Sequence, residues 1–352
     1  MARLSAQSRA LNLLALGEFG VLCALLLAVC LFWSLEPAFL SARNIRAILS
    51  IFSFVGIIAV GQIGLLICGE FDLSVGSVAG LAAVVAAKLM TAFSFPVALA
   101  LIVGVAAGAL LGLINGCIVV RLHVPAFIQT LGMLFIGQGL IQVVTGGYPV
   151  YPLPGAVGEI GQAFVFAGLG WSVAFFALLA LAADFVLRRT TLGRNCYAVG
   201  GNAAVARLVG IDTTLYKIAA FVLVGMLAAI AGMFVMADLA SGTTSIGNGW
   251  ELNVIAGVVV GGVSLFGGTG SVAGGLIGML LLQVVQSGLV MVGVSANWQQ
   301  IAVGTIMVAA VGLDVLRRRW FVEGGRVLRS DARASEPAAP HQVESSHANT
   351  RK

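Results

Sequence analysis

Residues 188–217 read RRTTLGRNCYAVGGNAAVARLVGIDTTLYK, a long polar stretch set between two apolar runs. It holds Arg188, Arg189, Arg194, Arg207 and Lys217 against a single acid, Asp212. A basic middle between apolar flanks is the pattern of a loop on the cytoplasmic face of a membrane protein. The stretch also carries local structure. Gly200-Gly201-Asn202 is a turn signal. Asn202 is placed to cap a short helix through Ala203, Ala204, Ala206 and Leu208, closed by Gly210. A short helix there is a surface on which a soluble partner can dock. The competing reading is a solvated basic loop that only sets orientation.

Working outward, the flanks decide the solvent. The chain has 352 residues, 60% hydrophobic and 9% charged, with mean hydropathy +1.06. Soluble domains carry about 25% charge. In lipid the backbone must satisfy itself, which leaves helices or a closed barrel. Barrel strands alternate in polarity, whereas these runs are continuously apolar, so the expected fold is all-α, a polytopic transmembrane helix bundle. The 46 glycines suit closely approaching helices. The pI near 9.2 follows from basic loops and is no nucleic-acid signal.

About ten spans are expected, with both termini cytoplasmic. A segment 1–19 precedes a membrane domain 20–316, and 317–352 reads as a cytoplasmic, disordered tail rich in Ser, Ala and Pro. The spans fall near 20–35, 47–68, a run ending near 90, one opened by Pro96, one opened by Pro125, then 171–187, 218–237, 253–265, 271–292 and 298–316. On this topology 16 of the 19 Lys and Arg face inward, all but Arg43, Arg46 and Lys88. GGYPVYPLPG at 146–155 and SGTTSIGNGWEL at 241–252 read as outer loops, the latter putting Trp250 and Glu251 at an outer mouth. Residues 156–170 have room for a short interfacial helix. Gly104, Gly108, Gly112 and Gly116, four apart, make a flat face for another helix. GSVAG occurs at 76–80 and 270–274, a five-residue echo that hints at duplication.

Little in the chain can do covalent chemistry. None of the lysines completes a G-x-x-x-x-G-K-[ST] loop, so no ATP site is expected. His123 is the only histidine near the bundle; His341 and His347 lie in the tail. Cys23, Cys30, Cys68, Cys117 and Cys196 form no C-x-x-C pair and read as packing residues. No metal, cofactor or enzyme activity is expected. The polar residues in or beside the spans are Glu70, Asp72, Ser74, Asn115, Gln129, Thr130, Gln138, Asp184, Asp238, Asn248, Glu251 and Gln283. A charge within a span is costly and marks a candidate site. Asp72 also suits a cap on the third helix.

Four segments together resemble one family: GEFDLSVGSVAG (69–80), NGCIVVRLHVPAFIQTLGML (115–134), GRNCYAVGGNAAVARLVGI (193–211) and GNGWELNVIAGVVVGGVSLFGGTGSVAGGLIGMLLL (247–282). They are similar to the ribose-type permeases of bacterial ABC sugar importers, over nearly all of residues 47–319. That resemblance implies a pathway formed by two permease subunits, commonly a homodimer, in the bacterial inner membrane. It implies ATP-binding cassette ATPase subunits on the cytoplasmic loops and a periplasmic sugar-binding protein that delivers substrate. Gly193, Arg194, Gly200, Gly201, Asn202, Ala206, Arg207 and Gly210 match the family's coupling loop. Glu70, Asp72, Ser74, Asn115, Gln129, Thr130, Asn248 and Glu251 are the candidates for the path or its hinges. Glu70-Phe71 departs from the family, which more often reads Gly-Ile there. The rival reading is a secondary transporter driven by an ion gradient, with Glu70, Asp72 or Asp238 as its embedded carboxylate.

Overall fold

The computed structural model describes residues 2–166, 168–295, 297–302, 304–306, 308–309 and 312, with side chains from residue 19 onward. The tail at 317–352 and much of the last expected span lie outside the described residues. The protein is a helix bundle, and seven of the described helices are long and apolar enough to cross a membrane.

Helix α1 runs Ala2–Leu35 and α2 Ala42–Ile67, joined by a turn of 3-10 helix at Pro37–Leu40. Ser41 caps α2 by accepting from the Asn44 amide at 3.4 Å. Helices α3 (Val75–Ala92), α4 (Val97–Arg121) and α5 (Ala126–Thr145) follow. Pro96 and Pro125 stand immediately before α4 and α5, where a missing N–H costs nothing. A short helix α6 (Gly155–Gln162) overlaps the stretch expected to hold one. A two-stranded antiparallel ribbon, β1 (Phe164–Phe166) and β2 (Leu169–Gly170), leads into α7 (Trp171–Arg189). Next come α8 (Thr191–Gly201), α9 (Ala203–Leu208), α10 (Thr213–Asp238), α11 (Trp250–Val260) and α12 (Val272–Met291).

Helix α2 is the axis. From Phe52 to Ile67 all but one of its residues are buried, and α7, α8, α10, α11 and α12 pack round it. Against it and α3 lies α10, which makes its most extensive contact with α4. The glycine row is the reason. A Cβ on Gly108 would stand 2.6 Å from the Ala229 Cβ, and one on Gly116 3.1 Å from the Ile218 Cα. The row is a packing face for α10, as its spacing predicts.

The segment 241–249 does not form a loop outside the bundle. Val150 and Gly242 exchange backbone hydrogen bonds at 3.0 Å, and a Cβ on Gly242 would stand 2.7 Å from that of Ala87. Ile246 then backs onto Gly80 and Gly247 onto Gly76. The chain thus returns along α3 from near its end to its first turn before α11 begins. Trp250 and Glu251 accordingly lie within the bundle and not at an outer mouth; Glu251 Oε2 abuts Gly76. Helix α11 has only 11 residues, about 16 Å at 1.5 Å per residue, roughly half a hydrocarbon core. It ends at Gly261-Gly262, where Gly262 takes φ +87°, earlier than the expected boundary at 265.

The GSVAG echo does not share a structural register. Ser271 caps α12, accepting from the Gly274 amide at 3.0 Å, whereas Ser77 sits inside α3 and donates to the Ser74 carbonyl at 2.9 Å.

Candidate functional site

The basic end of the bundle carries α8 and α9. Asn202 caps α9 as expected, accepting from the Ala204 and Val205 amides at 3.0 and 3.1 Å. Ala206 is the buried residue of α9, and Gly210 follows it at φ +84°. Helix α8 has no counterpart in the sequence reading. Its N-cap is Thr190, which accepts from the Gly193 amide at 3.4 Å. Gly193 is pressed against the backbone of Leu187, at the end of α7. Arg194 is exposed. Arg207 donates through Nε to Thr213 Oγ1 at 3.0 Å, tying α9 to the first turn of α10. Leu192, Val205, Leu208 and Val209 are exposed, Leu208 at 87%.

Three glycine-bearing segments converge where α8 meets the bundle. The Gly268 amide donates to the Ile67 carbonyl at 2.9 Å. A Cβ on Gly200 would overlap that same carbonyl and stand 2.7 Å from the Gly268 nitrogen. A Cβ on Gly267 would stand 2.7 Å from the Gly69 Cα, and one on Gly268 2.6 Å from the Gly201 Cα. So the C-terminal end of α8 is wedged between the α2–α3 break and the α11–α12 break. Tyr197 pins the same contact, its hydroxyl donating to the Gly270 carbonyl at 2.7 Å. The neighbouring Cys68 thiol holds that of Cys196 below the ordinary cysteine range, with burial opposing it. Any movement of α8 therefore acts on both breaks at once.

The α2–α3 break gathers five of the predicted path residues, four of them in one hydrogen-bonded chain. Asp72 Oδ1 accepts from the Ser74 amide at 2.7 Å and the Ser74 hydroxyl at 2.6 Å. Asn115, on α4, donates to Asp72 Oδ2 at 3.1 Å and to Ser74 Oγ at 2.9 Å. Gln129, on α5, donates to Asn115 Oδ1 at 3.2 Å. Asp72 thus binds a turn and a neighbouring helix, and does not cap α3 as the sequence suggested; the N-cap of α3 is Ser74, with no side-chain cap bond. Thr130 stands apart, its hydroxyl donating to the Ala126 carbonyl at 2.7 Å within its own helix. Glu70 is ion-paired with Lys217 of α10 at 2.6 Å.

The remaining two candidates lie at the re-entrant segment. Asn248 lines a cavity of about 500 Å³ with Thr244, Gln138, Gln142 and Phe135. Glu251 is not among its lining residues. Gln142 and Thr244 escaped the sequence reading: a lone amide near a span end looks interfacial, and Thr244 sat in a presumed outer loop. The i, i+4 spacing of Gln138 and Gln142 on one helix face was the available signal.

A short apolar helix, two glycine-bearing breaks and a basic helix pair at one end of the bundle are features of transporters. A family model described as the permease component of branched-chain amino acid transport systems matches residues 44–311. The chain belongs to that permease family. Similar proteins include the galactose/methyl galactoside import permease of Escherichia coli, 36% identical over 89% of this chain and 98% of that protein. The ribose import permease of Escherichia coli is 37% identical over 83% of this chain and 92% of its own length. The xylose transport system permease of the same organism is 34% identical over 85% and 92%. This permease is a multi-pass inner-membrane protein.

Proposed function

We propose that this permease is the membrane-spanning subunit of an ATP-driven importer that moves a sugar or related polyol. Three similar proteins carry the sugar reading, since their names specify import or transport of galactose, ribose and xylose. The observation that carries the coupling reading is the wedge of Gly200 between Ile67 and Gly268, beneath an exposed apolar surface on α8 and α9. An ATPase subunit docks on that surface at the cytoplasmic end. Closure of the ATPases moves α8 and α9, and the two glycine breaks tilt with them. Gly193, Arg194, Gly200, Gly201, Asn202, Ala206, Arg207 and Gly210 form this coupling element.

A periplasmic sugar-binding protein delivers substrate at the opposite end, and a second copy of the permease completes the pathway. Both termini are cytoplasmic, with 1–19 and 317–352 flanking the membrane domain. The chain supplies no catalysis; ATP hydrolysis belongs to its partners. An ion-coupled carrier fits less well. Asp72 spends its oxygens on Ser74 and Asn115, and Glu70 is neutralised by Lys217.

Arg207→Glu and Gly201→Trp test the coupling reading. Gly201 has open space where a Cβ would go, so its variant retains the fold while obstructing the docking surface. Both variants are expected to insert normally, and to lose sugar-stimulated ATP hydrolysis and uptake together. Wild-type uptake in both would refute the assignment.

A further inference from the structure

The cavity beside α5 has no role in the coupling element, and its chemistry is specific. It is about 500 Å³, within the size range of small-ligand sites. None of its lining residues is charged. Gln138 and Gln142 come from one face of α5, and Thr244 and Asn248 from the returning segment. No hydrogen bond within the described residues occupies any of these four side chains. Its position is deep. Gln138 lies 12 residues into α5 from Ala126, about 18 Å at 1.5 Å per residue, and seven residues short of Thr145. Gly247, next to Asn248, packs on the first turn of α3.

Two physical arguments follow. Irregular backbone at membrane depth is tolerated only where it is buried in protein or lines a water-filled cavity. Residues 241–249 are such backbone, and Thr244, Asn248 and Gly249 line this cavity. Unpaired carboxamides facing lipid would each carry a desolvation cost; facing a wet path, they carry none. The donor set is also selective. Carboxamides and a hydroxyl both donate and accept, as the hydroxyls of a sugar do. Phe135, 64% exposed, adds an apolar face for the C–H side of a sugar ring. A charged solute would find no counter-charge here.

We propose that Gln138, Gln142, Thr244 and Asn248 form a transient mid-pathway binding site for a neutral monosaccharide. The proposal rests on the sugar-import reading above. It means the permease itself contributes to selectivity, as well as the protein that delivers the sugar. Affinity is modest by construction: the site is open, so that a sugar enters and leaves within a transport cycle.

The test uses the complete transporter, with ATPase and binding protein, in proteoliposomes supplied with D-xylose, D-galactose or D-ribose. Loss of two modest hydrogen bonds predicts about a tenfold fall in uptake for the Gln138→Leu/Gln142→Leu double variant. Its nucleotide-only ATPase rate should stay within about twofold of wild type, as it would not if the coupling element had been damaged. Should the double variant fail to assemble, single cysteines keep the test. With the five native cysteines replaced, Gln142→Cys and Asn248→Cys should react with a water-soluble methanethiosulfonate, and the transported sugar should slow that reaction. Leu181→Cys, at an exposed position on α7, should stay unreactive. Wild-type-like uptake by the double variant, or labelling at 142 and 248 that no sugar slows, overturns the site while leaving the importer reading intact. If wild type takes up none of the three sugars, the sugar reading on which the site rests fails.

Discussion

Lys217 Nζ lies 2.6 Å from Glu70 Oε1, joining the first turns of α10 to the α2–α3 break across 147 positions of chain. Both side chains are about four-fifths buried. Next to this pair is a cavity of about 470 Å³ at the basic end, also lined by Arg121, His123, Arg207 and Asp212. Removing one partner strands a mostly buried charge, whereas swapping the two preserves the pair. Lys217→Ala should therefore destabilise the protein by about 2 kcal/mol, below the 3–5 kcal/mol of a fully buried pair. The Glu70→Lys/Lys217→Glu double variant should recover at least half of that. Thermal unfolding in detergent measures both; equal losses for single and double variants would show the pair to be unimportant.

Adjacent glycines at the end of α8 should respond in opposite ways. Gly200→Ala forces a methyl onto the Ile67 carbonyl and the Gly268 nitrogen, so α8 must lift off the two breaks. Overpacking of that kind costs about 1–3 kcal/mol, and coupled ATP hydrolysis should drop several-fold. Gly201→Ala meets nothing within 4 Å and should be close to neutral. Uptake and ATPase assays on the two variants compare them directly.

Loss of the Asn202 cap isolates the contribution of α9. Asn202→Ala leaves the Ala204 and Val205 amides without their side-chain acceptor. A cap is worth about 1 kcal/mol, and a six-residue helix has little else of its own to hold it. Faster hydrogen exchange across 203–208 is expected, with the membrane helices unaffected. Asn202→Asp keeps the acceptor and should restore protection.

Asp72→Ala should be the most damaging change at the break. It removes the acceptor for the Ser74 amide and hydroxyl and for Asn115 Nδ2, all among buried residues. Each stranded donor costs about 1–3 kcal/mol. Asp72→Asn keeps one acceptor oxygen and should fall between wild type and Ala in thermal stability.

Much of this architecture is legible without coordinates, because local signals carry it. Asn202 by its capping carboxamide and Gly210 by its freedom to take positive φ bracket α9, and the glycine row of α4 announces a close helix neighbour by spacing. Pro96 and Pro125 mark helix starts. Other features were hidden for physical reasons. Hydropathy cannot tell a polar loop outside the membrane from a polar segment folded back inside it, so the sequence reads 241–252 as an outer loop. The Glu70–Lys217 pair and the meeting of Gly69, Gly200 and Gly267 join positions far apart in sequence, and no periodicity encodes them. Helix α8 is Gly-rich and polar, and its helicity rests on the Thr190 cap and on packing against α2, neither visible as a hydrophobic repeat.

The central claim is that transport energy enters through α8 and α9 and not through an ion gradient. The most direct measurement is uptake of D-xylose, D-galactose and D-ribose into sealed vesicles holding the permease with its ATPase and binding protein. Uptake of at least one sugar that requires ATP, survives a protonophore and vanishes in Gly201→Trp is the predicted result. Uphill accumulation by the permease alone, driven by an ion gradient and abolished by the protonophore, would contradict it.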